Sequence, residues 1–515
     1  SCLALVAVSL AVVALALMVE TEQLTGIDEE KKRGTSLGSD PPEGSGYFLQ
    51  ITDFHLDPEY NASYGPRCFC NRPADQSLRE ACLAESTASS GNGFGQDGCD
   101  SPMELVHAVL EAAAAKAPSG GYDFVLVTGD FVRHKMWHYA PHRATHGFYV
   151  REIIRNVTEA VERHFPGTPF HHHHSIQMRG FRSQATINVG HERSKDLYTL
   201  GNADFNGDYN VEGLAEDGPN EWFTYMEPVL NKSLGPQDGV LRAHHTFRRG
   251  GYYMRRLTRS LYLIFLDTVI YSFKDEAKTA NLEDPFGQLE WLEQMLAWIH
   301  RQPLSFRMKP KKAIIAGHIP PTIDQYSFEH MWSARFVDRY LKIVTRYAFV
   351  VAAQVFAHLH ASTFRLLPSM QHELPLFVTS AVSPVYGNNP SFRVWRYEGC
   401  YLMDYTDYSA ELRHDGPQSH LDFQAHSSAR QLYGLRSLAA EEWRTKVAEQ
   451  IRQNDTVWRR YLRELWACTS CTKLQTSLDS RTFRMKSACA IENVHDDDFR
   501  TCVGAWPVAS SPEVA

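Results

Sequence analysis

Asp53-Phe54-His55, Gly129-Asp130, Gly201-Asn202, Gly317-His318 and His358-Leu359-His360 each end a β-type run on a side chain that can bind a metal. The runs before them are YFLQIT, DFVLVT, LYTL, KKAIIA and AFVVAAQVF. Ligands at the carboxyl ends of successive buried strands converge in one crevice. Asp53, Asp130, Asn202, His55, His318, His358 and His360 combine hard oxygen with imidazole donors, the mix that suits divalent first-row ions such as Zn, Mn or Fe. Two such ions about 3.5–4 Å apart clamp the attacking and leaving oxygens of a phosphoryl transfer. The pattern predicts a binuclear metallo-phosphoesterase.

Those side chains need elements to hold them. Tyr47 is expected to open the first strand, and Phe124–Val127 forms the next, which delivers Asp130. Cys99-Asp100-Ser101-Pro102 reads as a helix start: Ser101 and Glu104 make a capping box, Pro102 sits in the first turn, and an Ala-rich run follows. Phe286–Arg301 places Leu289, Leu292, Leu296 and Ile299 on one face of an amphipathic helix. Between Glu159 and Asp196 the chain reads as irregular, with His171–His174 a low-complexity surface insertion and not a metal site. The alternation of strands and helices predicts an α/β fold, a parallel-rich sheet sandwich flanked by helices. From about Gly416 no strand end carries a ligand, and Glu441–Trp466 is helical in pattern. The expected division is an apolar leader at 1–19, a linker at 20–46, a catalytic domain at 47–415 and a helical, cysteine-rich region at 416–515.

The net charge of −8 over 515 residues excludes a protein that coats nucleic acid, which would be strongly basic. Local basic stretches occur at Arg242, Arg248, Arg249, Arg255, Arg256 and Arg259, and at Arg307, Lys309, Lys311 and Lys312. They read as solvated faces or as a track for a polyanion. Cys2 to Val19 is apolar except for Ser9 and is barely long enough to span a bilayer. It reads as an uncleaved single-pass signal anchor; with Ala14-Leu15-Ala16 as a cleavage site it reads instead as a signal peptide of a secreted chain. Both place the remainder in a secretory, vacuolar or lysosome-like lumen. N-x-[ST] sequons at Asn61, Asn156, Asn231 and Asn454 agree with that address. So do two local cysteine groups, Cys68, Cys70, Cys82, Cys99 and Cys468, Cys471, Cys489, Cys502, expected to form disulfides within each group in one of three pairings.

In order and type, the five motifs resemble the calcineurin-like metallophosphoesterase pattern D-x-H, G-D, G-N-H-[DE], G-H, G-H-x-H. From Tyr47 to about Tyr408 the chain resembles the acid sphingomyelinase-like branch, through ITDFHLDPEY, GCDSP, VTGDFVRH, DPFGQLEWL, GHIPP and MDYTDY. The cysteine-rich tail looks like that branch's C-terminal region. Within the branch, TGDFVRH and AGHIPPTIDQY look most like the endopolyphosphatases, vacuolar membrane-anchored enzymes that cut inside polyphosphate chains. The resemblance implies a calcineurin-like β-sandwich in which Asp53, His55, Asp130 and His360 serve one ion. Asp130, Asn202, His318 and His358 serve the other, with Asp130 bridging. It also implies His134 at the phosphate oxygens or the leaving group, and Arg133 against a non-reacting phosphate.

Two positions depart from the pattern. Ala357 replaces the first Gly of G-H-x-H, and Ala203 replaces the His credited with protonating the leaving group. Phosphate's second ionisation lies near pKa 6, so a polyphosphate leaving group needs little protonation. An alkoxide needs a general acid far more. Ala203 therefore tilts the expectation toward phosphoanhydride cleavage, with a phosphodiesterase acting on a phospholipid headgroup or nucleotide as the alternative.

Overall fold

The computed structural model describes residues 44–506 except 74–75, 86–92, 136–142, 167–195, 216–217, 236–240, 304–309, 369–372, 413–417 and 469–470. The apolar leader, most of the linker, His171–His174, Arg307 and Lys309 lie outside the described residues. No described helix is long and apolar enough to cross a membrane.

The strands in chain order are β1 (Ser45–Ile51), β2 (Phe124–Val127), β3 (Asp196–Tyr198), β4 (Tyr253–Arg256), β5 (Leu261–Phe265), β6 (Lys312–Ala316), β7 (Val351–Phe356), β8 (Thr363–Leu367), β9 (Leu374–Val378), β10 (Ser391–Glu398), β11 (Tyr401–Ser409) and β12 (Gln424–Ala425). They form two six-stranded sheets, β12-β11-β10-β1-β2-β3 and β4-β5-β6-β7-β9-β8. The sheets are mixed where the sequence predicts a parallel-rich pair. β1-β2-β3 and β5-β6-β7-β9 are parallel, but antiparallel partners complete each sheet: β10 to β12 beyond β1, β4 beside β5, and β8 beside β9. Parallel strands need both faces covered, and their residues here are almost wholly buried. Gln50 of β1 links the sheets by donating to the Phe356 carbonyl of β7 at 3.3 Å, while its own amide oxygen accepts from Trp395 Nε1 of β10. Phe377 of β9 meets Trp395 edge-on at 5.4 Å.

Several expected boundaries shift for identifiable reasons. Ser101 does not cap the helix Met103–Ala115; its backbone pairs with the loop after β1, accepting from Asp57 N and donating to His55 O. The amphipathic helix spans Gln288–Arg301, because Phe286 is left-handed (φ 56°) and Asp284 caps from outside, accepting from Leu289 N and Glu290 N. Leu289, Leu292, Leu296 and Ile299 are buried in it. The stretch expected to be irregular from Glu159 begins inside a helix, Arg143–His164, whose Val150, Ile153, Ile154, Val157, Ala160 and Val161 are buried. Glu441–Trp466 is interrupted at Asn454, whose side chain accepts from Thr456 N and Val457 N to start a new helix, Asp455–Leu465. Trp443 from this region packs on Phe364 of β8 at 4.4 Å and on Phe377 at 5.8 Å, so the C-terminal helices share the core of the second sheet.

The disulfides are Cys68–Cys82, Cys70–Cys99, Cys468–Cys471 and Cys489–Cys502. Asn61, Asn156, Asn231 and Asn454 are all exposed.

Candidate metal centre

Each motif residue leaves a strand at its carboxyl end: Asp53 and His55 after β1, Asp130 after β2, Asn202 after β3, His318 after β6, and His358 and His360 after β7. Five of the seven, Asp53, His55, Asp130, His358 and His360, take left-handed backbone angles, with φ between 42° and 69°. Non-glycine residues rarely do so without being held there, and such strain gathers at functional sites. The motif glycines make the approach of the loops possible. A Cβ on Gly201 would lie 2.1 Å from Asp130 Oδ1, and one on Gly129 2.6 Å from Gly201 N.

Six of the seven side chains, those of Asp53, His55, Asp130, His318, His358 and His360, meet in one cluster, buried except for the half-buried His358. His55 Nε2 lies 3.1 Å from His360 Nε2 and 3.4 Å from Asp130 Oδ2. His360 Nε2 lies 3.4 Å from Asp53 Oδ1. On the other side, His318 Nε2 lies 3.2 Å from Asp130 Oδ2 and 3.2 Å from His358 Nδ1. The single oxygen Asp130 Oδ2 thus stands between a His55/His360/Asp53 group and a His318/His358 group.

Neighbours fix which atom each ligand presents. His55 Nδ1–H donates to the Val132 carbonyl at 2.9 Å and His318 Nδ1–H to that of Thr128 at 2.7 Å, which turns both Nε2 atoms toward the cluster. Asp130 Oδ1 accepts from Ala203 N at 2.9 Å. Asp204 accepts from four backbone amides, Gly201 (2.8 Å), Asp130 (2.9 Å), Phe131 (2.8 Å) and Val132 (3.2 Å), locking two motif loops together.

The residues fit a divalent cation. The His55 Nε2 lone pair faces the Asp130 carboxylate, acceptor against acceptor, and Asp53 Oδ1 and Asn202 Oδ1 are buried without a hydrogen-bond partner. Burial raises the Asp53 pKa to about 7 and lowers that of His55 to about 4. Burial also opposes a charge on His318, yet the adjacent Asp130 carboxylate takes it up to about 9.

His134 stands at the edge of the cluster. Its ring stacks on His55 at 3.9 Å, and Asp100 holds it twice, through Nδ1 at 2.9 Å and the backbone N at 2.8 Å. Its Nε2 lies 3.4 Å from the hydroxyl of Tyr386, a half-exposed ring that also meets His360 edge-on at 4.7 Å. Burial lowers the His134 pKa, but the Asp100 carboxylate outweighs it and the net direction is up.

Arg133, expected against a non-reacting phosphate, has partners within the chain. It is buried and donates to Asp57 Oδ1 at 2.9 Å and Asn71 Oδ1 at 2.7 Å, tying the β1 loop to the first disulfide region. Within the Arg242–Arg259 stretch, Arg248 pairs with Glu227, Arg255 donates to Leu234 O, and Arg256 to Thr258 O. Sequence reasoning missed Asp100, Asp204, Asp208, Tyr209 and Tyr386. Two had a signal: Asp204 as the acidic last position of the G-N-H-[DE] pattern, and Asp100 within the GCDSP motif.

No family model matches the chain. Curated relatives do. Acid sphingomyelinase-like phosphodiesterase 3b of Homo sapiens is 25% identical over 91% of this chain and 92% of its own length. Sphingomyelin phosphodiesterase A of Dictyostelium discoideum is 24% identical over 89% of this chain and 68% of its own. The chain is similar to proteins named as acid sphingomyelinase-like phosphodiesterases. Cyclic GMP-AMP phosphodiesterase SMPDL3A of Homo sapiens is also similar, 25% identical over 73% of this chain and 72% of its own. The solved structure of PhoD aligns over 76% of this chain at a TM-score of 0.38 and 11% identity, a superposition too loose to speak to function. Kinship and the buried Asp/His cluster together support a metal-dependent phosphoester hydrolase. The relatives and the disulfides fit a lysosomal or secreted protein.

Proposed function

We propose that this chain is a phosphodiesterase with two divalent ions, held by Asp53, His55, Asp130 and His360 on one side and by Asp130, Asn202, His318 and His358 on the other. The observation that carries the reading is Asp130 Oδ2, 3.4 Å from His55 Nε2 and 3.2 Å from His318 Nε2, one carboxylate oxygen facing both groups. Divalent ions in such a cluster supply Lewis-acid polarisation of a phosphoryl oxygen and activation of water near neutral pH.

The chain's own residues supply the rest. His134 is the proton donor to the leaving oxygen: Asp100 orients its Nδ1, and its Nε2 looks toward the half-exposed Tyr386. One positioned acid contributes about 10²–10⁴-fold, enough to cover the histidine absent at position 203. With that donor an alkyl diester becomes a workable substrate, and the relatives are named as phosphodiesterases of sphingomyelin and of cyclic GMP-AMP. This favours the diester over the phosphoanhydride expectation. The four exposed sequon asparagines are proposed glycan sites.

Polyphosphate cleavage is a second reading, resting on the sequence alone: Ala203 where the pattern has a histidine, and the likeness of TGDFVRH and AGHIPPTIDQY to endopolyphosphatases. Incubating the purified protein with sphingomyelin, a cyclic dinucleotide and long-chain polyphosphate separates the two. Release of phosphocholine or nucleotide with polyphosphate left long is the expected result. Shortened polyphosphate with both diesters intact would overturn the proposal.

A further inference from the structure

Asn202 Nδ2 donates to Asp208 Oδ1 at 2.8 Å, while Asn202 Oδ1 is buried with no hydrogen-bond partner. A carboxylate only accepts when ionised, so it selects the NH₂ end of the amide and turns the oxygen the other way. On the two-ion reading, Asp208 thereby fixes which end of Asn202 is presented to the ion. The next residue does the same for His358. Tyr209 Oη lies 3.3 Å from His358 Nε2, across the ring from Nδ1, which lies 3.2 Å from His318 Nε2. A hydroxyl accepting from Nε2–H leaves the imidazole lone pair on Nδ1, toward the cluster.

The segment is itself held in place. Tyr209 N donates to Asn202 O at 3.1 Å, its backbone is left-handed (φ 56°), and Lys278 Nζ donates to its carbonyl at 3.0 Å. The Lys274 ammonium lies 4.1 Å from the centre of the Tyr209 ring. Both ligands so oriented, Asn202 and His358, belong to the same side of Asp130.

Building on the two-ion reading, we propose that Asp208 and Tyr209 are positioning residues for one ion alone, the one assigned to Asn202 and His358. One loop sets the affinity of that ion independently of the other.

Metal-free wild-type protein and the variants Asp208→Ala, Asp208→Asn and Tyr209→Phe, equilibrated with graded Zn²⁺ and assayed for bound metal, provide the test. Wild type is expected to take two ions. Asp208→Ala and Tyr209→Phe are expected to weaken one ion about 10–100-fold, the usual cost of losing a partner behind a ligand, and to leave the other within a few-fold of wild type. Asp208→Asn, which still accepts from Asn202, should restore binding to within a few-fold. Metal-free variants should unfold at the wild-type temperature. Two ions at wild-type affinity in both Asp208→Ala and Tyr209→Phe, equal weakening of both ions, failure of Asp208→Asn to restore, or a less stable metal-free variant would each overturn the inference alone. A wild-type protein holding a single ion would instead bring down the two-ion reading and this division with it.

Discussion

The carboxylate of Asp130 is the residue on which the site turns, because its two oxygens do different work. Oδ1 is tied to the Ala203 amide and Oδ2 faces both histidine groups. Asp130→Asn keeps the shape but replaces one oxygen with a donor, and is expected to reduce metal content and to lower activity more than about 100-fold, beyond what loss of an outer partner costs. His134 tests the proton-donor role separately. His134→Ala is expected to lower turnover of an alkyl phosphodiester about 10²–10⁴-fold and that of an activated aryl diester far less, since an aryl leaving group needs little protonation. Equal losses on both substrates would assign His134 to binding instead. The candidate ligands that lie together, Asp53, His55, Asp130, His318, His358 and His360, were legible in the sequence because each closes a strand. Their orienting partners were not: Asp100 comes from a loop 34 positions away from His134, and nothing in spacing announces that contact.

At the scale of elements, the strands that carry ligands were the readable part. Phe124–Val127 stands where its apolar run puts it, and the helix after Gly287 buries the four expected residues. Helix starts were less readable, because competing partners decide them: Ser101 gives its backbone to the β1 loop, and Asn454 restarts a helix that the pattern alone would continue. Arg133 shows the same limit: a basic residue beside a ligand motif looks like a phosphate contact, and its partners in the fold, Asp57 and Asn71, are not announced by spacing. Arg133→Ala leaves Asp57 buried without its guanidinium partner and is expected to cost about 3–5 kcal/mol in denaturant unfolding. Its KM for substrate should hardly change. A stable variant with a strongly raised KM would return Arg133 to the substrate.

Across the whole molecule, two mixed sheets and a C-terminal helical region act as one scaffold for the cluster. The C-terminal contribution could not be read from periodicity, because Trp443 finds its place between Phe364 and Phe377 only through tertiary packing. Trp443→Ala is expected to destabilise by about 3–5 kcal/mol, as large-to-small core changes do, measured by thermal or denaturant unfolding. Ser362, two residues past His360, donates its backbone N–H to Leu465 O of the C-terminal region, so damage there reaches the ligands as well as the core. The central claim is that these elements exist to hold two ions around Asp130, and counting metal in the active protein tests it most directly. Elemental analysis of purified, active enzyme should give two divalent ions per chain, with activity lost on chelation and regained on refilling. Full activity with one ion per chain, or with none, would contradict the account.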